Sequence, residues 1–195
     1  MSIKRIKTRD GFTLVEALLA ASILVVISAI MLSFLIQGLS LWQLITSQSD
    51  LRSITRNAMS YMTQELRKAT RTSGDSSVHL HIPSKPNNTS VDFYLPVDGI
   101  DDNLLIIDAT GATEWDKSNK IQYQYVPGLK RLRRLEKGNQ YIIADNVTSI
   151  EFEDRDINPA LYDNELKIIL TVQSLTPQHR TVSVNLTSIV KLRNQ

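Results

Sequence analysis

The chain has 195 residues, of which 42% are hydrophobic, 22% charged and 6% aromatic, a composition that excludes a collagen-like or low-complexity disordered protein. With no cysteine, it has no disulfide framework, no thiolate-ligated zinc or iron–sulfur centre and no thiol nucleophile. The formal net charge of +2 is unevenly spread: Lys4, Arg5, Lys7 and Arg9 stand against Asp10 in the first eleven residues, so the remainder carries one more acid than base. The basicity belongs to an N-terminal tag, and the body of the chain has no electrostatic basis for wrapping nucleic acid.

The tag leads into 25 residues, Phe12 to Ile36, of which 15 are Leu, Ile, Val or Phe; the polar ones are Thr13, Glu16, Ser22, Ser28 and Ser33. As a helix rising about 1.5 Å per residue, the run reaches roughly 37 Å, enough to cross a hydrocarbon core of about 30 Å with some tilt. Basic residues precede it and the next cation is Arg52, so the positive-inside rule places the N-terminus in the cytoplasm and the rest of the chain outside. A cleaved secretory signal would have an apolar region of about 7–15 residues and no internal carboxylate. A plain signal anchor tolerates the length and leaves Glu16 unexplained. A mid-membrane carboxylate costs on the order of 2.5–3.5 kcal/mol, which fifteen apolar side chains at about −0.3 to −0.6 kcal/mol each outweigh. Insertion therefore survives, but an intramembrane carboxylate calls for a partner, and the natural one is a cation at the same depth.

The run Lys7-Thr8-Arg9-Asp10-Gly11-Phe12-Thr13-Leu14-Val15-Glu16-Ala17-Leu18-Leu19-Ala20 resembles the prepilin-type cleavage and methylation motif of type IV pilins and type II secretion pseudopilins. The resemblance implies that a prepilin peptidase cuts between Gly11 and Phe12 and that the new N-terminus, Phe12, is N-methylated. It also implies that Glu16, fifth in the mature chain, meets the N-terminal amine of a neighbouring subunit during assembly. Pairing the two charges in low dielectric relieves the desolvation that each would suffer alone.

Beyond the membrane the helix is predicted to continue to about Arg71, since no proline occurs before Pro83 and Gly38 is the only glycine between Gly11 and Gly74. Leu44, Leu51, Ile54, Ala58, Met62 and Leu66 form one apolar stripe, which needs a sheet or another helix to cover it. Thr72 to Ser77 reads as the helix stop and linker. The expected organisation is thus a leader over 1–11, a transmembrane helix over 12–36, its extramembrane continuation over 37–72 and a β-rich globular domain over 73–195.

Strands are predicted at Ser90–Leu95, Leu104–Asp108, Lys120–Val126, Leu129–Leu135, Gln140–Ala144, Val147–Asp154, Glu165–Thr176 and Thr181–Val190. Pro127-Gly128 suits a type II turn between two of them. Val182, Val184 and Leu186 alternate with polar residues, as in an antiparallel sheet with one solvated face. A long helix followed by antiparallel strands gives an α+β fold.

The chain has no G-x-S-x-G, Walker loop, G-x-G-x-x-G or H-E-x-x-H, so no enzymatic activity and no cofactor are expected. His79 and His81 could share a strand face, but only His179 completes the histidine count, and they are read as exposed residues without a metal. Asp98, Asp101 and Asp102 gather oxygens around Gly99, a weak calcium candidate without EF-hand order, read as a solvated turn. Glu153-Asp154-Arg155-Asp156 is read the same way. Lys130-Arg131-Leu132-Arg133-Arg134 has no interleaved aromatics for base stacking and is read as a solvated face or a subunit contact.

Ile121 to Tyr125, Leu132 to Arg134, Val147 to Phe152 and a long hairpin ending in Val190-Lys191-Leu192-Arg193-Asn194 are similar in order to the J-type minor pseudopilins and their type IV pilus counterparts, a more diffuse likeness than the N-terminal one. What it implies is a subunit at the tip of the pseudopilus, in the inner membrane with its C-terminal domain periplasmic. The implied partners are the prepilin peptidase, the I-type and K-type minor pseudopilins, the major pseudopilin and the inner-membrane assembly platform. Two other readings remain open: a minor pilin of a type IV pilus or DNA-uptake apparatus, and a signal-anchored periplasmic binding domain.

Overall fold

The structure, a computed structural model, describes residues 13–71, 76–97, 107 and 113–193. The fold is α+β: one long N-terminal helix, α1 (Leu14–Leu66), and two antiparallel sheets. The chain divides into two units, Met1–Gln43 and Leu44–Gln195, and α1 contributes to both.

In the first unit the helix buries nothing against its own chain. Every residue from Thr13 to Leu39 is exposed, with large apolar side chains between 49% (Ile27) and 77% (Leu14) accessible. This is the one helix among the described residues long and apolar enough to cross a membrane.

In the second unit the helix becomes one-sided. Leu51, Thr55, Ala58, Met59, Met62 and Leu66 are buried, with Leu44 and Ile54 half-buried beside them, which is the predicted stripe widened by Thr55 and Met59. Thr55 is admissible inside because its hydroxyl donates to the Leu51 carbonyl at 2.6 Å. The helix ends at Leu66, earlier than the sequence suggests and without glycine or proline. Lys68 and Ala69 donate to carbonyls three residues back, tightening the last turn. Thr70 then forms parallel bridges with both His79 and Arg193, so the chain is drawn into extended backbone by tertiary pairing.

The first sheet has the order β1-β2-β3-β4, with β1 (Ser90–Pro96), β2 (Trp115–Val126), β3 (Arg131–Glu136) and β4 (Asn139–Ala144). The second has the order β5-β6-β7, with β5 (Val147–Glu153), β6 (Glu165–Leu175) and β7 (Thr181–Lys191). Period-2 alternation supplies the core: Val91 and Phe93, Ile121 and Tyr123, and Leu132 from the first sheet, and Ile150 and Phe152, Leu166, Ile168, Leu170 and Val172 from the second, meet Met62 and Leu66 of α1 in one cluster. Phe93 stacks on Tyr123 at 5.8 Å between ring centroids. The two sheets are tied where Asn88 accepts from the Phe152 N–H through its carbonyl and donates from its side chain to the Phe152 carbonyl, at 2.9 and 3.1 Å.

Seven of the predicted strands are present, with ends shifted by a residue or two except at β2, which starts at Trp115. The predicted Leu104–Asp108 strand lies outside the described residues apart from Ile107, which is exposed and bridged to Thr113. The predicted type II turn is not formed. Pro127–Leu129 makes a 3-10 turn, and the left-handed residue is Lys130 (φ 50°), not Gly128. The turn with two positive φ values is Lys137-Gly138 (48° and 80°) between β3 and β4, as a two-residue type I′ hairpin demands.

Candidate functional site

Glu16 sits in the first turn of α1. Its Oε2 accepts from the Thr13 backbone N–H at 3.1 Å and from the Thr13 hydroxyl at 3.1 Å, while the Glu16 N–H donates to Thr13 Oγ1 at 3.3 Å. This reciprocal pair is a capping box: a Thr and a Glu three residues apart satisfy donors that the first helical turn leaves unpaired, and the carboxylate lies at the positive end of the helix dipole. The spacing Thr13-x-x-Glu16 is legible in the sequence, yet a reading that seeks an external cation for Glu16 passes over it. A shallow concavity of about 290 Å³ adjoins the carboxylate, lined by Val15, Glu16, Leu19, Ala20 and Ile23, with Glu16 its sole polar side chain. Gly11 and Phe12, the expected processing residues, lie outside the described residues, as do Asp98, Asp101 and Asp102.

In the second unit the charged motifs turn inward, which corrects two of the sequence readings. The basic run on β3 is not a solvated face throughout. Leu132 and Arg134 point into the core, and Arg134, 6% exposed, sends Nε and Nη2 to the Glu65 carboxylate of α1 at 2.8–3.1 Å and Nη1 to Glu136 at 2.5 Å. The Tyr123 hydroxyl also donates to Glu65, and the Tyr141 ring lies 5.9 Å from the guanidinium carbon. Burial works against the Arg134 charge, but the hydrogen bonds it donates to two carboxylates outweigh it, so its pKa is raised; the bond from Arg134 holds Glu136 below its usual range. Burial, followed by the Glu65 charge, pushes the Tyr123 phenol up, so it stays a donor. Arg131 and Arg133 do face outward, to Asp145 and Gln140.

The acidic loop is likewise a solvated turn only in part: Arg155 and Asp156 are exposed, but its first two residues turn inward. Glu153 and Asp154 are each 6% exposed. Glu153 accepts from Lys85 at 2.8 Å, Asn158 at 3.0 Å and Lys167 at 3.1 Å, and these bonds, Lys85 foremost, overcome burial and lower its pKa to about 2. Asp154 pairs with Arg71 at 3.4 Å, and Arg71 also bonds Asp156. A cavity of about 560 Å³ brings Arg71, Asp154 and Asp156 to the same place as His79 and His81, a convergence that the sequence does not reveal. His79 is half-buried rather than exposed, while His81 is exposed and bridged to Asp92. No group of three or more His, Asp or Glu among the described residues is placed to hold a metal.

Chemically, these clusters anchor elements to one another: α1 to β3 through Glu65 and Arg134, and the 85–89 and 154–158 loops to β5 and β6 through Glu153. The arrangement that stands apart is the exposed apolar helix start with one carboxylate. Comparison with family models, with curated proteins and with solved structures finds no match.

Proposed function

We propose that the chain is a peptidase-processed, membrane-inserted filament subunit, a minor pseudopilin of type II secretion, working by polymerisation at the tip of the pseudopilus. The observation that carries this reading is the run Gly11-Phe12-Thr13-Leu14-Val15-Glu16 leading into the first turn of an exposed apolar helix, on a chain that also carries two antiparallel sheets, an architecture compatible with pilins. On this reading Gly11 supplies the scissile bond, Phe12 becomes the methylated N-terminus, and Glu16 exchanges its bonds to Thr13 for the amine of a neighbour. The charged clusters of the β domain hold it rigid for contacts with other pseudopilins.

The capping box favours a second reading. If Glu16 is retained to start the helix, a signal-anchored periplasmic domain needs no external cation, and the carboxylate has a role without any filament. Intact mass and N-terminal fragmentation of the membrane-extracted chain, expressed with and without a prepilin peptidase, separates the two. A chain beginning at Phe12 and one methyl group heavier supports the filament subunit. A chain still carrying residues 2–11 with active peptidase present supports the anchored domain.

A further inference from the structure

Across the second unit, positive charge is largely matched: Arg71, Lys85, Lys120, Arg131, Arg134 and Lys167 each form an ion pair with a carboxylate of the same unit. Arg52 and Arg56, exposed on α1, and Arg67, exposed just past its end, break that pattern. Among the described residues, no hydrogen bond or ion pair engages the side chain of any of the three.

The helix supplies no offset of its own. Opposite charges support one another on a helix at a separation of three or four positions. Asp50 stands two positions before Arg52 and Glu65 two before Arg67, spacings that put the charges on different sides, and Glu65 is turned to Arg134. Arg52 and Arg56 are themselves four apart, where like charges repel and weaken the helix.

A shallow concavity of about 470 Å³ lies along this face. Apart from Ile45 it is lined by Gln48, Ser49, Arg52, Ser53, Arg56 and Asn57, so every polar side chain there can donate a hydrogen bond and none is acidic. A guanidinium takes both oxygens of a carboxylate through parallel N–H···O bonds, and hydroxyl and amide donors beside it serve the remaining lone pairs. At 3.6 residues per turn, positions 52, 56 and 67 fall within about 60° of one another around the helix axis and extend about 22 Å along it. A headgroup layer of about 5–7 Å, crossed by α1, matches one arginine of such a stripe at a time, whereas a helix laid alongside matches all three.

We propose that Arg52, Arg56 and Arg67 form a docking stripe for an acidic helix of another protein, whose carboxylates recur at the same separations of four and eleven residues. The contact supplies the counter-charge that the chain lacks on this face and relieves the repulsion between Arg52 and Arg56. The carboxylates of α1 itself, Glu16, Asp50 and Glu65, do not have that spacing, so the partner is a different polypeptide. The inference goes beyond the filament reading and does not depend on leader cleavage, since the uncleaved chain carries the same stripe.

The test places the photoreactive residue p-benzoylphenylalanine at position 53, exposed between the two arginines, in the full-length chain within membranes of the cells that naturally make it. The same residue at position 162, where Tyr162 is 73% exposed, sets the background. The expected product is an adduct with one other protein, mapped by mass spectrometry to a helical segment with Asp or Glu at the stated spacing. Arg52→Glu/Arg56→Glu should lower its yield several-fold, with the protease resistance of the chain unchanged, and lysines in place of the partner's mapped carboxylates should restore it. The proposal is overturned by a yield no higher than at position 162, by adducts with phospholipid or with a second copy of this chain alone, or by an adduct that survives the charge reversal undiminished. Should Arg52→Glu/Arg56→Glu fail to fold, Arg52→Gln/Arg56→Gln decides by the same loss of adduct.

Discussion

Replacing Glu65 with leucine tests whether the buried ion cluster fixes α1 to the sheet. In the native protein Glu65 receives three N–H···O contacts from Arg134 at 2.8–3.1 Å and the Tyr123 hydroxyl, with the Glu65 and Arg134 side chains 17% and 7% exposed. After Glu65→Leu, Arg134 keeps Glu136 but loses the partner of Nε and Nη2 in a position where water cannot replace it. Hydrogen bonds to charged groups contribute about 1.5–3 kcal/mol each, and breaking a buried pair from one side costs about 3–5 kcal/mol. Because Glu136 still screens part of the charge, the expected loss is about 3 kcal/mol, roughly a third of the stability of a typical domain. The assay is urea unfolding of the full chain in detergent, followed by near-ultraviolet circular dichroism, which reports packing around Trp115 and Tyr123. The double variant Glu65→Leu/Arg134→Met removes both charges and is expected to recover most of the loss. A Glu65→Leu protein within about 1 kcal/mol of the parent would show that the cluster does not anchor the helix, as would a double variant less stable than the single one.

Glu153 sets an acid limit on stability. Its folded pKa, about 2, lies below its unfolded value near 4.5, so its contribution is complete above about pH 4.5 and fades as pH falls towards 2. That difference amounts to on the order of 3 kcal/mol; in Glu153→Gln, the slope of unfolding free energy against pH between 5 and 2 should flatten, and an unchanged slope would assign the acid sensitivity elsewhere. Met62→Ala, at a fully buried position shared by helix and sheets, should cost about 2–5 kcal/mol by thermal unfolding. Gly138→Ala meets open space but sits at φ 80°, so a loss of about 1 kcal/mol with no change in core packing is expected, and a neutral result would mean the turn relaxes. Thr13→Ala removes one half of the capping box and should fray the start of α1 in detergent, read as faster amide exchange over its first turn, at a cost of about 1 kcal/mol.

Patterns with a short period are legible in the amino-acid order alone. The apolar run of α1, its stripe from Leu44 to Leu66 and the alternation along β7 each repeat within a few residues, and local geometry converts such repeats directly into faces. The Thr13-Glu16 spacing is equally local. Charge, by contrast, misleads. Arg134 and Glu65 are separated by 69 positions, and Glu153 and Lys85 by 68, so nothing near any of them in the chain indicates that it is buried and paired. A run such as Arg131 to Arg134 looks the same on a solvated face as on a strand whose alternate arginine is turned inward. The end of α1 at Leu66 is hidden for the same reason, since bridges from His79 and Arg193 to Thr70 end it, and no helix breaker stands there. The long apolar helix, its amphipathic continuation and the antiparallel strands are thus written in the chain itself, because each follows from neighbours within one or two turns or one strand. Which charges are buried and where the helix stops are settled by the folded arrangement, because those depend on what distant segments bring alongside.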